Sequence, residues 1–226
     1  MTDYQKLAAE AVGTFALVFV GAGSIIASAG TNLVAIALAH GIAIAVMVST
    51  LGHVSGGLFN PALTIGLWVT RRLSAMDTGL YVAAQLAGGI VGGIALVLLF
   101  PEQARDLTDL GTPVLSDGVG FVQGVGIELI LTAFLMLAVF GTAIDSRGPR
   151  VGGLFIGLVL TMDIAAGGAL TGAAMNPARA LGPALASGTF DDQLVYWIGP
   201  ILGAVGAALL YEYVFISEEE RATVAP

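Results

Sequence analysis

The sequence contains no cysteine, which excludes disulfides, thiol nucleophiles and thiolate metal sites and leaves the redox compartment open. Charge is scarce too. Only 11% of the 226 residues are Asp, Glu, Lys or Arg, against about 25% in an ordinary soluble domain. Histidine is limited to His40 and His53, and neither stands at ligand spacing from a carboxylate. No metal centre, no cofactor and no enzyme activity are therefore expected.

What remains is apolar. The chain is 57% hydrophobic with a mean hydropathy of +0.92, so lipid is its expected solvent. Glycine is abundant, at 32 residues. Lipid gives helices no hydrophobic drive to associate, and small residues let their backbones approach closely. The net charge of −8 identifies no ligand and disfavours nucleic acid as a partner.

Crossing a bilayer core takes about 20 apolar residues. Six runs qualify: residues 7–29, 33–51, 79–100, 119–142, 151–167 and 194–216. Two further apolar stretches, 61–69 and 177–186, are too short and reach only about half of a ~30 Å core. The opening residues are few and the first run is long enough to stay in the membrane, so no cleavable signal is expected. With the N-terminus inside, Lys6, Arg71, Arg72, Arg147, Arg150 and Arg221 fall inside and only Arg105 falls outside, a clear positive-inside asymmetry. Glu102, Asp106, Asp109, Asp117, Asp191 and Asp192 fall outside, and Glu218–Glu220 read as a solvated run inside.

The chain repeats itself. Ser55-Gly-Gly-Leu-Phe-Asn60-Pro61-Ala62 and Thr171-Gly-Ala-Ala-Met-Asn176-Pro177-Ala178 share one pattern at an offset of 116 residues. Gly41 matches Gly157 and Gly66 matches Gly182 at the same offset, and Glu10-x-x-x-Thr14 echoes Glu128-x-x-x-Thr132. Internal repetition of this kind decides the architecture. Repeat 1 covers about 1–112 and repeat 2 about 113–226 of a single membrane domain. Three spans per half is an odd number, so the halves enter the membrane in opposite senses. Inverted repeats with interrupted helices place the functional site near the midplane, where they meet.

Asn is a strong N-cap and Pro suits the next position, so Asn60-Pro61 and Asn176-Pro177 each read as the start of a re-entrant half-helix. The Gly-rich stretches before them, 53–59 and 169–175, read as non-helical. Irregular backbone at membrane depth is tolerated only when buried in protein or facing a water-filled cavity. The expected fold is all-α: six transmembrane helices plus two re-entrant half-helices in an inverted 3+3 repeat, with a pore between the halves.

At these residues the sequence resembles the aquaporin family, the major intrinsic proteins. The resemblance covers nearly the whole chain: both Asn-Pro-Ala motifs, the Arg179 that follows the second, and Glu10 and Glu128 at the repeat starts. It implies a passive water channel that excludes protons and ions, one pore per subunit and a homotetramer. By the family's spacing the outer constriction falls on His40, Ile164, Ala173 and Arg179. Having His at position 40 and an aliphatic residue at position 164 resembles the plant tonoplast subgroup. With the small Ala173, this extends the expectation to ammonia, hydrogen peroxide and urea. Glu10 and Glu128 are implied to hold the re-entrant loops, with proton relay as the sharper alternative. His40 has a packing role as its alternative. His53, by the inner vestibule, either holds its loop or lines the pore, and Asp163 has no assigned role. Glu212 is expected to reach the inner interface. The host membrane expected is the cell membrane, with both termini cytoplasmic.

A glycerol facilitator is the nearest rival. Ala180 after Arg179, the small Ala173, the short loop 188–193 and Tyr196-Trp197 at the last span point away from it. A secondary transporter would carry acids at its helix breaks, where this chain has Asn, Gly and Ala. A structural membrane protein would show negligible permeability.

Overall fold

Apolar runs bounded by Asn, Ser and Gly become helices whose ends those residues set. The structure, a computed structural model, describes residues 3–217, so Glu218–Glu220 and Arg221 lie outside the described residues. Six helices are long and apolar enough to cross a membrane, the fourth and sixth together with the π turns that continue them: α1 (Asp3–Ala27), α2 (Leu33–Ser55), α4 (Ala75–Leu99), α6 (Phe121–Val139), α7 (Gly152–Thr171) and α9 (Val195–Leu210). Two short helices, α3 (Pro61–Val69) and α8 (Pro177–Ser187), lie between them, and a one-turn helix α5 (Glu102–Asp106) follows α4. The last turns of α6 and α9 widen to π geometry over Phe140–Ile144 and Tyr211–Phe215. There is no strand among the described residues.

Side chains start the helices where the sequence offers caps. Asn32 accepts from the Ala35 N–H, and Ser74 from the Asp77 N–H. The ends correct the sequence reading. Hydropathy ends the second span at 51 and the fifth at 167, whereas α2 runs on through His53 to Ser55 and α7 to Thr171. The irregular backbone is confined to 56–60 and 172–176. The cause is the cap. A helix continues until a residue accepts the left-handed conformation, and these are Gly56 (φ 95°) and Gly172 (φ 78°).

The two halves meet where side chains vanish. A Cβ on Gly41 would strike Thr161 and the Gly157 carbonyl, and one on Gly157 would strike the Gly41 carbonyl. Thus α2 and α7, matching helices of the two repeats, cross backbone against backbone. The core between them holds Phe59, Met175, Leu135, Leu160 and Ile164. Large apolar side chains such as Val34, Leu98 and Val122 point outward, as lipid-facing residues should. The loops after α3 and α6 share the side that carries the start of α1 and the end of α9. The loops after α1, α4 and α8 share the opposite side.

Candidate functional site

The irregular backbone before each half-helix needs partners for the groups that face protein, because the hydrocarbon core supplies none. Two fully buried carboxylates serve instead. Glu10 accepts from the Leu58 N–H (3.1 Å), the Phe59 N–H (2.7 Å), the Ser55 hydroxyl (2.6 Å) and Gln85 Nε2 (2.7 Å). Glu128 accepts from the Ala174 N–H (2.9 Å), the Met175 N–H (2.7 Å) and the Thr171 hydroxyl (2.7 Å). Both loops are left-handed at three positions, Gly56, Gly57 and Phe59 in one and Gly172, Ala173 and Met175 in the other. A non-glycine residue held there costs of order 1–3 kcal/mol. Hydrogen bonds to a charged acceptor, roughly twice as strong as neutral ones, offset that cost.

The half-helices then meet tip to tip. Asn60 Oδ1 caps α3 by accepting from the Ala62 N–H, and Asn176 Oδ1 caps α8 by accepting from Ala178 and Arg179. This capping fixes both amides, so each Nδ2 points away from its own helix. Asn60 Nδ2 donates to the Met175 carbonyl at 2.8 Å, and Asn176 Nδ2 donates to the Phe59 carbonyl at 2.9 Å. Each amide therefore ties one repeat to the other. An NH2 group has two hydrogens, which leaves one on each Asn for a further acceptor.

Arg179, 2% exposed, sits in the first turn of α8. Its Nη1 donates to the Gly111 carbonyl at 3.0 Å, and its Nη2 lies 3.2 Å from His40 Nε2. His40 Nδ1 lies 2.9 Å from the Ile36 carbonyl. A carbonyl only accepts, so Nδ1 carries the proton and Nε2 accepts from the guanidinium. Arg179 Nε is buried without a partner among the described residues. Gly111 can reach Arg179 because Asp109, Leu110 and Gly111 are all left-handed and turn the chain sharply.

A narrow channel runs along this constellation. It is lined by Leu17, Ile44, Val48, Leu63, Leu135, Val139, Ile156 and Leu160, by the loop residues Gly57, Leu58, Ala173 and Ala174, and by His40, Asn60, Asn176 and Arg179. Among the described residues the last four are its only polar side chains. The space open to a water-sized occupant is about 20 Å³, little more than one water needs. A wider cavity on the opposite side, lined by Ile164, Leu33, Gly111 and Gly172 among others, also reaches Arg179. Arg179 thus stands where the two spaces meet. His40 and Ala173 line the narrow side and Ile164 the wide side. His53 is exposed on the last turn of α2 and lines neither.

Sequence reasoning did not find the Gly111 carbonyl, Gln85 or the Arg72–Glu212 ion pair (2.8 Å). Glu212, near the end of the chain's last span, is buried against Arg72 of the loop after α3. A carbonyl leaves no mark in a sequence, and Gln85 has no glutamine at the matching place in the second repeat, so the duplication gave no signal.

Six crossing helices, two half-helices joined at their tips and a narrow channel between them define a multi-pass membrane channel built on an inverted repeat. The chain belongs to the major intrinsic protein family, whose model matches residues 1–211. It is 44% identical to the maize (Zea mays) aquaporin TIP4-4 over 95% of this chain and 88% of that protein. It is 39% identical to the rat (Rattus norvegicus) aquaporin-2 over 97% and 83%, and 39% identical to the soybean (Glycine max) nodulin-26 over 93% and 78%. The crystal structure of the aquaglyceroporin from Plasmodium falciparum shares its fold, with a TM-score of 0.83, 24% identity and coverage of 95% and 97%. Members of this family are channels, not enzymes.

Proposed function

We propose that this chain is a passive water channel that excludes protons and ions, with both termini cytoplasmic in the cell membrane and four copies forming a homotetramer. The observation that carries the reading is the channel wall, whose polar side chains among the described residues are His40, Asn60, Asn176 and Arg179 alone. Beyond the backbone carbonyls of the loop residues that line it, such a wall offers a passing water few partners, so the few polar side chains set its orientation.

Each half-helix N-terminus carries roughly half a positive charge, and the two point at one place. The remaining N–H of Asn60 and of Asn176 both offer hydrogens there. A water at that point turns its oxygen to both donors and its hydrogens outward along the channel. Its oxygen is then occupied and cannot receive a proton from a neighbour, which breaks a proton wire. The positive potential of the helix ends and of Arg179 opposes hydronium and cations. Glu10 and Glu128 act as loop holders in this reading. His40 acts as a positioning residue, since its Nε2 lone pair and the Gly111 carbonyl hold the guanidinium to one side.

Ala173 beside this pair leaves room for ammonia, hydrogen peroxide and urea, which extends the proposal to small neutral solutes. Glycerol is the alternative cargo. The test is stopped-flow shrinkage of proteoliposomes under an impermeant osmolyte, repeated with glycerol, urea and ammonium gradients. Fast shrinkage with a low activation energy is expected, with an Arg179→Ala variant still passing water but leaking protons or cations. Folded protein that shrinks liposomes no faster than lipid alone would overturn the channel reading. Glycerol entry as fast as water would transfer it to the alternative.

A further inference from the structure

A second cavity lies away from the channel, on the side opposite the termini. It measures about 250 Å³ and is lined by Val97, Arg105, Asp106, Asp109, Leu110, Ala186 and Ser187. Its wall combines the end of α4, the one-turn helix α5, the turn that follows it and the C-terminal end of α8. Arg105, the one basic residue expected in the loops on that side, lines it, and its Nε is buried there without a hydrogen-bond partner among the described residues. Two exposed carboxylates, Asp106 and Asp109, share the same wall. The C-terminal end of α8, carrying partial negative charge, adds to them. The cavity therefore presents one positive pole and one negative pole.

Its surroundings are those of a membrane interface. Leu98 and Leu99 at the end of α4 are 76% and 69% exposed, and Leu107, next to the cavity, is 70% exposed. Below Val97, Ile94 and Val91 continue down α4 at one-turn spacing, both half exposed. An apolar track thus leads from the polar cavity toward the middle of the bilayer. A soluble ion has no use for such a track, and an acyl chain does.

We infer that this cavity binds the headgroup of a zwitterionic phospholipid, a phosphatidylethanolamine, in the leaflet opposite the termini. Arg105 takes the phosphate, Asp106 and Asp109 take the primary ammonium, and one acyl chain lies along Val97, Ile94 and Val91. Arg suits a phosphate because its fork of donors matches the oxygens. A primary ammonium can donate hydrogen bonds to both carboxylates, whereas a quaternary one cannot. An anionic headgroup without an ammonium would meet two carboxylates unpaired.

The test is lipid titration of the purified full chain in detergent, with bound lipid resolved by native mass spectrometry. Phosphatidylethanolamine is expected to bind at least tenfold more tightly than phosphatidylglycerol, with phosphatidylcholine between them. Arg105→Ala should weaken phosphatidylethanolamine at least tenfold, and Arg105→Lys should keep most of it. Asp106→Asn with Asp109→Asn should bring phosphatidylethanolamine and phosphatidylglycerol to within about threefold of each other. Equal binding of the two lipids by the parent, or no loss in Arg105→Ala, overturns the site. Free phosphoethanolamine or inorganic phosphate competing at the affinity of the lipid overturns the lipid as occupant. The acid-pair variant tests the site should Arg105→Ala not fold, and none of these readouts depends on what the channel conducts.

Discussion

Asp163 neighbours Ile164 in α7 but lines neither the channel nor the cavity above it. It is 1% exposed, and its Oδ2 has no hydrogen-bond partner among the described residues. A buried polar group left unpaired costs about 1–3 kcal/mol, and an apolar replacement of similar shape recovers it. Asp163→Leu is therefore expected to raise the melting temperature in detergent while water permeability stays at the parent's level. A lower melting temperature would mean that the carboxyl has a partner in a bound water or a neighbouring subunit. The contrast with Glu10 and Glu128 is instructive, because those carboxylates are as buried and fully engaged. Their positions were legible in the sequence because each stands at the same place in a duplicated pattern. Asp163 has Met47 as its counterpart, so the repeat says nothing of it. His40 and Arg179 were legible as residues, but the Gly111 carbonyl that completes their arrangement belongs to backbone whose left-handed turn no single side chain announces.

Helix existence followed from hydropathy and helix ends did not. The apolar signal in α2 fades at Gly52 and His53, yet hydrogen bonding continues until Gly56 turns left-handed and its N–H bonds back to the Gly52 carbonyl. Half-helices α3 and α8 were legible at their starts because Asn-Pro is a start signal in itself. The crossing of α2 with α7 was legible only as a matched pair of glycines, Gly41 and Gly157, with no indication that they face each other. That contact makes a sharp expectation at the level of elements. Gly157→Val puts a side chain into the Gly41 carbonyl and the backbone of Ala45, and overpacking of this kind costs about 1–3 kcal/mol even where the neighbours can shift. Here the neighbour is backbone, so loss of folded yield or a large drop in melting temperature is expected. Gly206→Val is the control, because a Cβ on the exposed Gly206 of α9 meets nothing within 4 Å. Equal loss in both variants would show that the effect is one of helix propensity and not of the crossing.

Across the whole molecule the inverted repeat makes the two faces alike in plan and different in fastening. On the side opposite the termini the halves are joined through Arg179 to His40 and Gly111. On the side of the termini Arg72, in the loop after α3, pairs with Glu212 in the last turn of α9, and its guanidinium lies 5.4 Å from the centre of the Phe140 ring. The loop after α6 is fastened beside it. Arg147 Nε donates to Asp145 Oδ1 at 2.9 Å and its Nη2 to Oδ2 at 2.7 Å, the Tyr211 hydroxyl donates to Oδ2 at 3.1 Å, and Arg147 Nη2 reaches the Phe215 carbonyl at 2.6 Å. The hydrogen bonds from Arg147, with that of Tyr211 beside them, hold the Asp145 carboxyl well below the usual carboxylate range. A carboxyl depressed on folding stabilises the protein fully above its unfolded value of 3.8 and loses that contribution as pH falls toward its folded value. The Arg147 side chain is 53% exposed, so solvent screens the pair and its worth is about 1 kcal/mol or less. Asp145→Asn should consequently melt a little below the parent by the same margin at pH 7 and at pH 5. The margin should narrow only as the pH is taken from about 4 downward, as the parent's own carboxyl becomes protonated. Melting curves of the two proteins at pH 7, 5 and 3 test this directly. A margin that closes between pH 7 and pH 5 would place the titrating group elsewhere and show that Asp145 is not what fastens the loop to α9.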